Sequence, residues 1–236
     1  MKAVRQMIVG CAALGMLVAG ASPSFARPVD QWSMKVVDGS TSNLADGSAM
    51  TFFGTWRNIP GLVGGAVQFQ FNGDPSYGVG RGTRRHNPAA RNFAFSETFT
   101  SKPIPSGYSG NLMQKGYFND PGQIKLQLVP ANGGTVECRI KGTAGARTVH
   151  SPVIVDDGRW HTATCFRQSD WVGLTVDDVT KKLHWSPGRI SNNRTVRVGN
   201  KNDAADKSDQ HFGALDCSVY TIQGAARRQA LARVPC

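Results

Sequence analysis

Along most of this chain, apolar side chains return at every second position. Val67, Phe69 and Phe71 alternate with Gln68 and Gln70. Phe93, Phe95, Glu97 and Phe99 share one parity, and so do Ile124, Leu126 and Leu128. Val136, Cys138 and Ile140 continue the pattern, followed by Val172, Leu174 and Val176, by Val196 and Val198, and by the run from Leu215 to Ile222. A period of two puts alternate residues on opposite faces of a strand. The runs are short, rich in β-branched and aromatic residues, and separated by turn formers such as Asn72-Gly73-Asp74 and Asn132-Gly133-Gly134. Many strands without helical interludes predict an all-β sandwich. Gln123 to Ile140 reads as a hairpin turning over Pro130–Gly134, and only Ala225–Arg233 favours a helix, a short C-terminal one.

The segment Asp157–Asp178 carries a His, a Cys and four Asp, which raises the question of a metal or catalytic cluster. Its periodicity gives a plainer answer. Asp157-Gly158 is a turn, and Trp160–Phe166 is a strand with His161, Ala163 and Cys165 on one face. Arg167–Asp170 is a polar turn, and a second strand ends at Asp177-Asp178. His161 is then expected to be a buried, hydrogen-bonded histidine. The Asp residues are expected to be turn formers, because their side chains bond the local backbone.

Before Arg27 the chain has a different character. Lys2 and Arg5 precede an apolar, small-residue run from Met7 to Ala21, and Ser24-Phe25-Ala26 offers small residues where a signal peptidase reads. Residues 1–26 are expected to be a signal peptide and residues 27–236 one secreted, extracellular domain with no transmembrane segment. Val9-Gly10-Cys11 loosely resembles a lipobox, but the apolar run continues well past Cys11. Loss of Cys11 leaves Cys138, Cys165, Cys217 and Cys236, an even set that reads as two disulfides in an exported protein. Three pairings are open, and the two sequence-local bonds, Cys138–Cys165 and Cys217–Cys236, are favoured.

Composition is globular, at 40% hydrophobic and 18% charged residues, but the formal charge is +11, or +9 without Lys2 and Arg5. That balance suits anionic partners. No nucleic-acid motif accompanies it, so no nucleic-acid partner is expected. The densest basic stretch, Gly80–Arg91, holds Arg81, Arg84, Arg85, His86 and Arg91, and guanidinium groups make planar two-point contacts with oxyanions. Arg227, Arg228 and Arg233 are assigned to the exposed face of the C-terminal helix. Tyr77, Tyr108, Trp171 and Trp185 are candidates for stacking on sugar rings, whereas Trp32, Trp56 and Trp160 are core candidates. Asn193-Arg194-Thr195 is an N-glycosylation sequon by pattern.

The residues also carry a family resemblance. Asp157-Gly158-Arg159-Trp160-His161, followed by a turn and Val172–Asp178, resembles a hairpin of laminin G-like, concanavalin A-like lectin-glucanase domains. Asp30–Met34, Val67–Tyr77, Asn92–Ser101, Leu112–Gly116, Val196–Lys201 and His211–Thr221 resemble other segments of that family in the same order. The resemblance implies a two-sheet antiparallel jelly-roll of roughly 12–14 strands. It also implies a C-terminal disulfide matching Cys217–Cys236, and recognition of an extracellular polysaccharide, glycoconjugate or protein. Some members hold calcium at the rim, so Ca2+ is the one cofactor considered. Asn72 and Asp74 are the metal candidates, beside Asp177, Asp178 and Asn200. The ligand-binding candidates are Arg81, Arg84, Arg85, Tyr77 and Trp171.

The same fold class hosts hydrolases and lyases. A retaining hydrolase needs two carboxyl groups about 5–5.5 Å apart. Glu97 and Glu137 are the only glutamates, and neither has an acidic partner two residues away. The lyase-like Gln-Ile-His strand is absent, Gln123-Ile124-Lys125 standing in its place, and there is no G-x-S-x-G elbow. A binding module rather than an enzyme is expected.

Overall fold

The computed structural model describes residues 28–70, 75–131, 133–201 and 208–223. Outside them lie the expected signal peptide, the metal candidates Asn72 and Asp74, the C-terminal helix with Arg227, Arg228 and Arg233, and Cys236.

Sixteen strands run through the described residues, in chain order. They are β1 (Pro28–Trp32), β2 (Ser40–Ser42), β3 (Ala49–Phe53), β4 (Trp56–Pro60), β5 (Gly65–Phe69) and β6 (Tyr77–Val79). Then come β7 (Phe93–Ser101), β8 (Gly110–Lys115), β9 (Gln123–Val129), β10 (Thr135–Gly142) and β11 (Gly145–Ile154). The last are β12 (Trp160–Gln168), β13 (Trp171–Val176), β14 (Val179–His184), β15 (Val196–Val198) and β16 (Gly213–Ile222). One sheet is ordered β14-β13-β12-β7-β16-β5-β4, with β1 also paired to β16; the other is β11-β10-β9-β8-β15-β6-β3-β2. All pairings are antiparallel, which gives the expected sandwich of two sheets.

The inward parities meet in one core. Phe93, Phe95 and Phe99 of β7 are fully buried with Leu126 and Leu128 of β9, Val136 of β10, and Trp32 and Tyr220. Each such side chain contributes about 1.5–3 kcal/mol relative to exposure. The ring of Tyr220 stands edge-on to Phe95 at 4.5 Å, and its hydroxyl donates to the His86 carbonyl at 2.8 Å. Cys138 of β10 and Cys165 of β12 form the favoured disulfide, tying one sheet to the other. Cys217 is also disulfide-bonded.

Two bulges set directions. Asp216 is an extra residue in β16 between Leu215 and Cys217. Its carboxylate turns to accept the backbone N–H groups of Leu62 and Val63 at 3.1 and 3.2 Å. In β8, Leu112 is extra between Asn111 and Met113. Leu112 and Met113 both join the core, while Asn111 and Gln114 keep to the outward rows of β9.

Some expectations shift. The strand β12 reaches Gln168, so the turn before β13 is Ser169-Asp170 rather than Arg167–Asp170. β14 follows directly on Asp177-Asp178 and was not expected; all six of its residues are exposed, so it has no apolar face to read. The sixteen strands exceed the 12–14 implied by the resemblance.

Candidate functional site

The hairpin β9–β10 builds one wall of a groove by register alone. Glu137 lies opposite Gln127, and Arg139 opposite Lys125. On the other side of β9, Gln114 lies opposite Lys125, and beyond it Arg197 of β15 opposite Gln114. Gln114, Lys125 and Arg139 therefore form a row across three strands on the face away from the core. The groove above them has a volume of about 820 Å³, within the range of small-ligand sites. The β8–β9 turn closes one end with Tyr117, Phe118 and Asp120, while Arg194, Lys201 and Asp209 line it from later loops.

The floor is held by Gly116. Its carbonyl accepts the side-chain amides of Gln114 at 2.8 Å and Gln123 at 3.1 Å. Its φ of +89° suits glycine, and an added Cβ would meet the Gly122 carbonyl oxygen at 2.3 Å. With the amide of Gln114 so committed, its buried Oε1 has no partner among the described residues, and the same is true of Gln127 Oε1 after its amide donates to Glu137. Asn111, directly opposite Gln127, has both side-chain polar atoms buried and without a partner among the described residues. Such atoms cost about 1–3 kcal/mol each unless something supplies the missing hydrogen bond.

Charge in the groove is mostly settled internally. Asp209 accepts from Lys125 at 2.8 Å, Lys201 at 2.5 Å and Ser109 at 2.5 Å. Burial pushes its carboxyl up, but the two ammonium groups and the hydroxyl outweigh this and hold it below the usual range. Asp120 behaves alike: the Tyr117 N–H and Arg194, at 2.8 and 3.1 Å, overcome its burial. Glu137 faces Gln127 and, at 3.3 Å, His150. Arg139 differs. It donates to Gln123, and its guanidinium lies over the Phe118 ring at 4.2 Å; among the described residues no carboxylate is in ion-pair contact with it, and Glu137 acts on it only at longer range. Phe118 itself is 68% exposed at the groove mouth. One guanidinium without a contact ion pair among the described residues, two unsatisfied amide oxygens and an open aromatic ring suit a polar ligand with hydroxyls and a flat apolar face.

Hydrolysis of a glycosidic bond would need a carboxylic acid kept protonated beside its partner. The carboxyls raised above their ordinary values are Glu97 and Asp216, both by burial, and both belong to the opposite sheet. Glu97 points into the core with Phe95 and Phe99, bonded to Ser218 at 2.5 Å. A chain from Thr83 Oγ1 to His86 Nδ1 at 2.8 Å, and from His86 Nε2 to Asp30 at 2.8 Å, has the outline of a nucleophile, base and orienting acid. Here it caps a turn. His86 Nδ1 already accepts the Thr83 backbone N–H at 3.0 Å, so this nitrogen is occupied.

The anticipated ligand residues do not meet in the groove. Arg85 is spent on Asp46 and Asp30. Tyr77 stacks on Phe53 at 5.2 Å under the guanidinium of Arg197. Trp171, 42% exposed, leans on His184 at the start of β13 in the other sheet. Arg81 and Arg84 are exposed beyond the groove lining. Tyr108 and Trp185 pack against the core. Asp177 binds His161 Nδ1 at 2.9 Å and the Thr162 N–H at 3.0 Å, as a turn residue should. Asn200 is buried against Gln210 and the Lys201 N–H. Among the described residues no three His, Cys, Asp or Glu side chains gather as a metal site. The residues that do line the groove were visible in part: Gln123, Lys125 and Gln127 are the outward parity of one run, Glu137 and Arg139 of the next.

No protein-family model matches the chain, and no curated protein does. Solved structures match its shape. The binding domain of botulinum neurotoxin DC, in complex with rat synaptotagmin II, aligns with a TM-score of 0.59 at 8% identity, over 83% of this chain and 48% of that one. This chain thus spans about half the length of the toxin chain. Domain 4 of AbnA, an extracellular arabinanase from Geobacillus stearothermophilus, in complex with arabinotriose, aligns with a TM-score of 0.60 at 13% identity, over 84% and 93%. Mouse laminin α1 domains LG4-5 align over 57% of this chain and 36% of that one, with a TM-score of 0.42 and 15% identity, too loosely to bear on family. The fold is that of the jelly-roll, lectin-like sandwiches. The specific laminin G assignment is left without support. At 8% and 13% identity these likenesses show the fold and not an activity.

Proposed function

We propose that this protein is a secreted module that binds an extracellular polysaccharide or glycoconjugate in the groove over β8, β9 and β10. The observation that carries the reading is the pair of buried Oε1 atoms of Gln114 and Gln127, unpartnered among the described residues, in the lining of an open groove. Sugar hydroxyls donate and accept at close spacing, so they can donate to the open carbonyl ends of Gln114 and Gln127 while accepting from the cations of the lining. Phe118 offers a ring face for a pyranose, and Arg139 favours an acidic sugar, whose carboxylate its guanidinium can grip at two points. That the AbnA domain, of similar shape, holds arabinotriose lends support at the level of fold.

A glycan array probed with and without EDTA, followed by calorimetry on the best oligosaccharide, tests this. Binding that drops at least tenfold in Arg139→Ala and Gln114→Ala is expected. A protein that binds no glycan, or binds one equally well in both variants, removes the reading. Release of new reducing ends from the bound glycan, abolished by one carboxylate substitution, would replace it with an enzyme.

A further inference from the structure

The basic stretch singled out in the sequence leads to a second cavity. Arg84 and Arg91 share a pocket of about 370 Å³ with Arg189, which lies about a hundred residues further along the chain. The two segments are joined by a reciprocal backbone pair, Ala89 to Ile190 and back, both bonds at 3.0 Å. Beneath them the buried guanidinium of Arg167 donates to the Gly188 carbonyl at 2.7 Å and to the hydroxyl of Ser186 at 3.1 Å. This ties down the segment that presents Arg189. Arg91 is itself oriented, donating to the carbonyls of Pro88 at 3.1 Å and Asn87 at 2.9 Å. The remaining lining is Asn87, Ala89, Ser191 and Asn193, so the pocket holds three guanidinium groups and no carboxylate. Arg85, their neighbour, is neutralised by Asp46 and Asp30, whereas none of these three has a carboxylate within ion-pair distance among the described residues.

Three like charges gathered in one concavity repel one another, and an anion held between them turns that repulsion into attraction, the more so at low salt. We infer that the Arg84–Arg91–Arg189 pocket is an oxyanion site, which takes the tetrahedral phosphate or sulfate ester of a polyanionic ligand. A tetrahedral ester group presents three terminal oxygens, as many as the guanidinium groups that line the pocket. Planar guanidinium groups bind such oxygens in pairs. The pocket is distinct from the groove. Ser191 and Asn193 line the pocket and Arg194 lines the groove, while Asn192 between them is fixed by its contacts to Lys115 at 2.8 Å and the Gly122 carbonyl at 2.9 Å.

The test titrates the whole protein with glucose 6-phosphate, glucose 6-sulfate and glucose, following arginine side-chain signals by NMR at low and moderate salt. Saturable binding of either ester, absent for glucose and weakened by salt, is expected. The ester with the higher affinity names the source of the oxyanion. Arg84→Gln with Arg189→Gln should weaken that binding at least tenfold at an unchanged melting temperature, both side chains being exposed. Arg139→Ala should leave it intact, which separates this site from the groove. Equal response to glucose and its esters, or ester binding unmoved by the double variant, overturns the proposal.

Discussion

Along β7, β12, β13 and β14 the outward positions hold Ser96, Thr98, Thr162, Thr164, Thr175 and Thr180; along β8, β9 and β10 they hold Gln114, Gln123, Lys125, Gln127, Glu137 and Arg139. Apart from Thr180 on the wholly exposed β14, both sets alternate with core residues, and both are polar. Their lengths differ, and so do their partners. The short hydroxyls bond across the strands to one another: Ser96 to Thr164 at 2.8 Å, Thr175 to Thr180 at 2.9 Å, Thr98 to Thr162 at 3.3 Å. None of these atoms is buried without a partner. The long amides and cations leave a concavity, and their hydrogen bonding is incomplete. The hydroxyl rows of the one sheet are thus satisfied among themselves, whereas the amide rows of the other lack part of their complement.

The staple between the two sheets gives the severest test of that contrast. Cys138 sits between Glu137 and Arg139 of the groove wall, and Cys165 next to Thr164 of the hydroxyl face. Replacing both by alanine should cost roughly 3–4 kcal/mol in the loop-entropy account of a 27-residue separation. Urea unfolding measures it. If the wall of the groove is positioned by this bond, glycan affinity falls as well; intact affinity with lowered stability would show that the β9–β10 hairpin holds its own geometry.

A second test uses pH, because the groove lining contains no histidine, whereas two histidines flank Phe99 in the other sheet at 6.0 and 6.2 Å. Burial pushes His211 down to about 4 from 6.5. It is neutral in the folded protein, so its contribution is complete above pH 6.5 and is lost as pH falls through about 4, on the order of 3 kcal/mol in all. His161 runs the other way. Burial opposes its charge, but the carboxylates of Asp177 and Asp157, at 2.9 and 3.0 Å on its two ring nitrogens, outweigh burial and raise it. Only the imidazolium can donate to both. Its contribution is complete below pH 6.5 and fades as pH rises through its raised value. Melting curves of His161→Gln should therefore converge with wild type on the alkaline side, and those of His211→Gln on the acid side. Crossed behaviour would refute both assignments.

Substitutions on the two faces come next. Arg139→Ala and Gln114→Ala should each lower glycan affinity at least tenfold, by about 1.4–3 kcal/mol, since a charged or polar group on the ligand loses its partner. Thr98→Val and Thr164→Val should leave affinity within error. Affinity that responds to the threonines instead would move the site to the opposite sheet.

What the sequence revealed follows the same division. Alternation marked β7, β9, β10, β12, β13 and β16, because each has one apolar parity that the core demands. It passed over β14, Val179–His184, where every residue is exposed and Lys181 and Lys182 occupy a sheet edge. There is no core face to impose a period, and lysines are suited to an edge that must not pair with another chain. The outward residues of the groove were readable as outward, but period two cannot say which sheet is concave. Arg194, Lys201 and Asp209 come from loops far along the chain, brought to β9 by pairings such as β15 with β8. Individual arginines were also unreadable. Within three residues Arg84 faces a pocket and Arg85 is paired with Asp46, and only the fold places Asp46 there.

The smallest effect belongs to the hydroxyl pairs themselves. Ser96 and Thr164 are half-buried, so removing one hydroxyl leaves an atom that water can still reach. Thr164→Val alone should cost no more than about 1 kcal/mol, and Ser96→Ala with Thr164→Val less than the sum of the two single changes, since the pair no longer leaves an orphan. A double-mutant cycle by thermal unfolding reads that coupling. The same cycle on Gln127 and Glu137, each cut to alanine, should give a similar coupling in the free protein but a larger one with glycan bound, because the groove pair gains a third partner there and the hydroxyl pair does not. Equal couplings with and without glycan would mean that the two faces differ only in side-chain length, and that Gln127 belongs to the wall of the groove rather than to its binding surface.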